Sequence, residues 1–181
     1  MKEKYTSFRD IPQFTSWGSY AVDYPLDHLI KYVDDCVAEQ GLMLCPDFQR
    51  GHVWSRSQQV VYVEFLLRGG KSGRDLFFNC PSWHHPVKPG EYDDFVCVDG
   101  LQRITAVRAF VENRIPAFGT LFRDYTDTLR FMNDTLRVHI NTLKTRHEVL
   151  TWYLEINSGG TPHTKKELTR VKALLDAAGQ E

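Results

Sequence analysis

The sequence predicts a compact α+β fold, with three or four strands set among several helices. Three observations carry this reading. The apolar, partly β-branched run Phe95-Val96-Cys97-Val98 has the composition of a buried strand. Directly after it, at Asp99-Gly100, the apolar spacing changes to Leu101, Ile104, Val107 and Phe110, which is one face of a helix. Similar helical stripes recur elsewhere, while Leu136, Val138 and Ile140 alternate as in a half-buried strand. With 181 residues, 42% of them apolar and 13% aromatic, the chain can bury a real core.

Taken in order, residues 1–15 are polar and mixed and read as an N-terminal arm, and residues 16–181 as a single domain. Ser16–Val22, with Trp17, Tyr20 and Val22, is expected to form a first short strand. Asp23-Tyr24-Pro25 opens a helix, because proline suits the first helical position. Its stripe is Leu26, Leu29, Ile30, Val33 and Val37, and Gly41 stops it. Leu42–Cys45 reads as a short strand ending at Pro46. Asp47–Trp54 has no periodicity and is a loop. Ser55 with Gln58 forms a capping box for a helix over Arg56–Arg68, apolar on most sides and so expected to be well buried.

Leu76-Phe77-Phe78 is a strand, and the Pro- and His-containing stretch Cys80–Tyr92 is a loop. After the central strand and helix, Arg114–Phe122 is a connection and Tyr125–Asn133 a short helix. Leu136–Asn141 is the last strand. Thr145 with Glu148 caps a helix facing inward with Val149, Leu150, Tyr153 and Leu154. Gly159-Gly160-Thr161-Pro162 stops it, and Thr164 with Glu167 caps a final helix striped by Leu168, Val171, Leu174 and Leu175.

The formal net charge of −1 argues against a sequence-independent nucleic-acid binder, which needs a basic excess. The charge is uneven. Residues 1–95 hold 10 Lys+Arg against 13 Asp+Glu, and residues 96–181 hold 12 against 10, giving −3 and +2. That bias suits an anionic ligand on the second half. Cys36, Cys45, Cys80 and Cys97 form no C-x-x-C pair and no zinc-ribbon spacing, so no metal centre is expected, even with His84-His85 near Cys80. No signal peptide and no run of 18 apolar residues is present, which predicts a cytoplasmic protein with no membrane partner.

The chemistry is expected at the strand–turn–helix of residues 95–111. Gln102 and Arg103 fall in the helix's first turn, where backbone N–H groups lack helical partners and the dipole is positive. An arginine fork there suits phosphate. The plainer alternative is that Asp99 and Gln102 merely form a capping box and Arg103 is solvated. For the loop at 47–54 the plain alternative is that Phe48 and Trp54 plug the core and Arg50 is solvated. Lys165, Lys166, Arg170 and Lys172 put a basic strip along the last helix, a DNA-binding candidate or simply a solvated helix face.

Three separated pieces then align with a known family: Pro46–Trp54, Val98–Arg103, and Glu155–Thr164 with Glu167-Leu168. Together, over roughly residues 20–175, they resemble the N-terminal domain of GmrSD-type restriction systems, which is similar to the ParB/sulfiredoxin-like fold. The family pattern is Asp-Gly-Gln-Gln-Arg; here Leu101 replaces the first glutamine and opens the apolar stripe. The resemblance implies a small mixed sheet surrounded by helices. It also implies a domain that binds or hydrolyses a nucleoside triphosphate, with or without Mg2+, to control a nuclease acting on modified or foreign DNA. In the family that nuclease is a separate C-terminal domain of His-Asn-His character; none is expected in this chain.

By the same resemblance Asp99, Gln102 and Arg103 are the catalytic candidates, Asp99 holding a metal-bound water or a ribose hydroxyl and the other two meeting phosphates. Gln49, Arg50, Gly100, Asn157, Gly159, Gly160 and Thr161 are the ligand-binding candidates, the glycines offering bare backbone for close approach. Two alternative functions stay open: a DNA-binding or nicking module, and a non-enzymatic interaction protein, such as a phage or mobile-element decoy or one subunit of a split defence system paired with a separate nuclease.

Overall fold

A computed structural model describes residues 4–49, 51–130, 133–158 and 165–179, with Ser158 and residues 165–168 described by backbone only. Among the described residues the architecture is mixed α/β: a four-stranded sheet and five α-helices. In chain order these are β1 (Tyr20–Pro25), α1 (Leu26–Gln40), α2 (Arg56–Leu67), β2 (Asp75–Asn79), β3 (Val96–Asp99), α3 (Leu101–Val111), β4 (Thr135–Asn141), α4 (Arg146–Ser158) and α5 (Lys165–Ala178).

The sheet order is β1-β4-β2-β3. β4 pairs with β1 antiparallel and with β2 parallel, and β2 pairs with β3 antiparallel. Because successive strand residues face opposite sides, the sheet feeds two cores. Leu76, Phe78, Cys97, Leu136, Val138 and Ile140 meet α1 and α3 on one face. Phe77, Val96 and Val98 meet Val149, Leu150 and Trp152 of α4 and Val171 of α5 on the other. A third cluster joins Val63 of α2 to Ala106, Ala109 and Phe110 of α3. Each fully buried large apolar side chain contributes roughly 1.5–3 kcal/mol of transfer free energy, so this double covering fixes β3 and α3 rigidly between layers.

Local signals set many boundaries. Gly41 closes α1 in the left-handed conformation (φ 72°). Ser55 and Gln58 form the expected reciprocal capping box of α2. Thr145 and Glu148 do the same for α4, with the Glu148 carboxylate accepting from Thr145 N at 3.0 Å and Thr145 Oγ1 accepting from Glu148 N at 3.2 Å. The Thr164–Glu167 cap lies outside the described residues.

Other expectations are corrected. The first strand begins later than Ser16 and runs on to Pro25, which is the N-cap of α1. Gly18, at φ 90°, passes so close to β4 that an added Cβ would lie 2.3 Å from Ile140 O, so the chain is bent there. Leu42–Cys45 is no strand; it makes one parallel bridge, Met43 to Val96, and Pro46 ends any extension by removing a donor. α2 is buried only at Gln59, Val63 and Leu66, and Val61 stands 65% exposed, because Val63 packs on α3 and Leu66 enters the main core while the outer face meets solvent. Among the described residues of 125–133 there is no helix. Instead the Asp134 carboxylate accepts from Arg130 N at 2.8 Å.

The arm holds one 3-10 turn, Phe8–Asp10, capped by Ser7, and Thr15 N donates to Glu155 Oε2 at 2.9 Å. None of the described helices is long and apolar enough to cross a membrane.

Candidate functional site

Described parts of the three sequence pieces meet at one place. A cavity of about 560 Å3 is lined by Gln49, Val53 and Trp54 from the first, by Val98 through Arg103 from the second, and by Ile156 and Asn157 from the end of α4. β3 and α3 bring this about, since they follow one another with only Gly100 between them.

Gly100 is the N-cap of α3, at φ 133° and ψ −7°. A side chain there is strained by backbone geometry and by space: an added Cβ would lie 2.6 Å from Leu76 Cδ2. The first helical bond runs from Ile104 N to Gly100 O at 2.9 Å, so the N–H groups of Leu101, Gln102 and Arg103 stand outside the helical ladder.

Asp99 does not form the capping box that its spacing from Gln102 suggests; α3 has no side-chain cap. Its Oδ2 accepts from Arg103 Nη2 at 2.5 Å, one helical turn on. The two side chains are 32% and 19% exposed, so Arg103 is not solvated. Its Nε is buried with no hydrogen-bond partner among the described residues. Burial disfavours the guanidinium's charge, but the Asp99 carboxylate outweighs this and holds the pKa above its ordinary value.

Gln102 is engaged elsewhere than on a ligand. Its Oε1 accepts from Val53 N at 3.0 Å and Trp54 N at 3.1 Å, and its Nε2 donates to Gly51 O at 3.1 Å. The amide therefore behaves as a short piece of strand that fixes residues 51–54 at the cavity's mouth. Gln49 is engaged similarly: its Nε2 donates to Cys97 O at 2.6 Å, pinning the loop to β3. Arg170 holds the same loop from α5, its Nη2 donating to Phe48 O at 3.0 Å and Gln49 O at 3.1 Å. The basic strip is thus interrupted, with Arg170 turned to main-chain carbonyls while Lys172 is exposed.

Asn157 lines the cavity and donates from Nδ2 to Tyr153 O at 2.7 Å. Arg50, Gly159, Gly160 and Thr161 lie outside the described residues, as do the side chains of Lys165 and Lys166. Phe48 is a core plug, buried and edge-on to Tyr153 at 5.3 Å. Trp54 is half-buried, edge-on to Tyr62 at 5.2 Å, and on the cavity wall. Behind the wall, burial pushes the Cys97 thiol up to about 12, which keeps it protonated and inert. Among the described residues no three His, Cys, Asp or Glu side chains are placed to hold a metal ion.

Sequence reasoning missed Val53, Ile156 and Gln58 as cavity wall, and the bonds from the exposed Arg170 to the loop carbonyls. The signal for the first two was an apolar residue inside one of the three motif pieces, in an aperiodic loop or at a helix end, which is too common to single out. Among the described residues the site so built presents one guanidinium, first-turn amides, one carboxylate and an apolar wall. Comparison with protein-family models, curated proteins and solved structures finds no match to this chain.

Proposed function

We propose that this chain is a nucleotide-binding domain of ParB/sulfiredoxin-like build, similar to the N-terminal domain of GmrSD-type restriction systems. The observation that carries the reading is the convergence of residues 49–54, 98–103 and 156–157 on one cavity at the start of α3. Its size of about 560 Å3 fits a small-molecule ligand. A phosphate chain suits the helix start, where first-turn amides outside the helical ladder and the Arg103 fork favour negative charge. The apolar side, Val53, Trp54 and Ile156, suits the ribose and base.

In this reading Arg103 is the phosphate contact, and Asp99 orients it and is available to a Mg2+-bound water or a ribose hydroxyl. Gln49 and Gln102 position the loop over the ligand. Arg103 also sits where charge would build on a phosphoryl group during hydrolysis. The domain would then report nucleotide state to a nuclease acting on modified or foreign DNA.

The test is phosphate release from ATP, GTP, CTP and UTP, with and without Mg2+. Release by the wild-type chain that Arg103→Ala abolishes supports hydrolysis. Equal release by both proteins overturns the assignment of Arg103.

A further inference from the structure

A second cavity opens at the other end of α3, and the nucleotide reading makes no use of it. It measures about 530 Å3, and four aromatic rings, Phe110, Phe118, Phe122 and Tyr125, form much of its wall. Phe110 is buried, with Phe122 and Tyr125 edge-on to it at 5.3 and 6.1 Å.

The charged groups on the wall are unbalanced. Arg130 is engaged: it donates to the Asp134 carboxylate at 3.2 Å and to Leu67 O, so Arg130 and Asp134 cancel. Asp27 and Asp127 also line the cavity. Asp27 Oδ1 accepts only from His28 N at 2.9 Å, and Asp127 interacts with Arg130 at longer range, so among the described residues neither is in a close ion pair. The lining therefore carries a formal charge of −2, from three carboxylates and one guanidinium.

Phe118 stands out. Its φ of 50° is left-handed, which disfavours a bulky residue. Its N–H donates to Glu64 Oε1 at 2.8 Å, and that bond helps hold the conformation. Yet the ring gains little packing for this, being 46% exposed. One cation already rests against it, the Arg68 guanidinium at 5.0 Å from the ring centre. An anion is repelled by Asp27 and Asp127. A neutral apolar ligand would strip water from both carboxylates with no return. A bare metal ion would leave the rings unused.

We propose that this cavity binds a small organic cation, an ammonium bearing alkyl or aryl groups. Its apolar groups lie against the rings of Phe118, Phe122 and Tyr125, and its charge is met by Asp27 and Asp127. The proposal is independent of the nucleotide cleft.

The test is titration of the full chain with benzyltrimethylammonium, followed by amide NMR shifts, against its uncharged isostere neopentylbenzene. Saturable shifts at residues 118–127 are expected, with the isostere at least about fivefold weaker because it lacks the charge. Asp127→Asn, a change at an exposed side chain, should weaken the cation about fivefold. Phe118→Gly relieves the left-handed backbone and removes a ring, so it should fold normally and bind more weakly still. No shifts at about 10 mM ligand, equal affinity for the isostere, or an unchanged affinity in Asp127→Asn would each overturn the proposal.

Discussion

Arg103 Nη2 and Asp99 Oδ2 lie 2.5 Å apart, and the bend at Gly100 separates the two residues in sequence. The pair crosses the junction of β3 and α3, tying the strand's last residue to the helix's first turn. Its consequence for function is orientation. A guanidinium anchored through one nitrogen has fewer rotamers to lose when an anion arrives, so less of the binding free energy goes into ordering it.

The junction depends on Gly100. Gly100→Ala places a Cβ at φ 133° and 2.6 Å from Leu76 Cδ2. Strain and overpacking together should destabilise the fold by roughly 2–4 kcal/mol. A lowered urea midpoint for Gly100→Ala is the expected result. An unchanged urea midpoint in Gly100→Ala would contradict this.

Gln102 should act through the loop it holds. Gln102→Ala removes three hydrogen bonds to Gly51, Val53 and Trp54. Since these are partly exposed, water replaces some of their value, and the loss should be about 1–2 kcal/mol. Hydrogen exchange should quicken at the Val53 and Trp54 amides. Gln102→Glu keeps the acceptor and loses the donor to Gly51 O, so it should fall between. Unchanged exchange at both amides in Gln102→Ala would show that the loop holds itself.

How much of this was legible follows the range of the interactions. The passage from β3 to α3 was readable because a change of apolar spacing and a glycine are adjacent in sequence. The caps at Ser55 and Thr145 were readable for the same reason. The duties of Gln49, Gln102 and Arg170 were not. Their partners, Cys97, Gly51–Trp54 and the Phe48 and Gln49 carbonyls, are each about 50 or more residues away. The same range explains the missing helix at 125–130, where Arg130 reaches to Leu67 O, and the burial of α2, which α3 decides. Parts of the three expected segments line one cavity, but two of its glutamines serve the protein's own backbone.

A pH effect is expected on the sheet's edge. Asp23 on β1 faces Arg137 on β4, with bonds of 2.8 and 2.7 Å to its two oxygens. The Arg137 hydrogen bond holds the Asp23 carboxyl below its usual 3.8. A carboxylate with a depressed folded pKa adds stability above its unfolded pKa and loses it as pH falls through the folded one. Because both side chains are about half exposed, Asp23→Asn should cost no more than about 1 kcal/mol at pH 7. Urea titrations of both proteins should converge as pH falls below the usual 3.8 and through the lowered folded value. A difference that persists there would assign the effect to something other than ionisation.

The most direct measurement of the account is calorimetric titration of the chain with ATP, GTP, CTP and UTP, with and without Mg2+, repeated on Arg103→Ala. At least one nucleotide should bind the wild-type chain, and Arg103→Ala should weaken it by roughly 10-fold or more, the scale of a lost charge-assisted phosphate contact. Absence of binding by all four nucleotides in both conditions, or full-strength binding by Arg103→Ala, would contradict it.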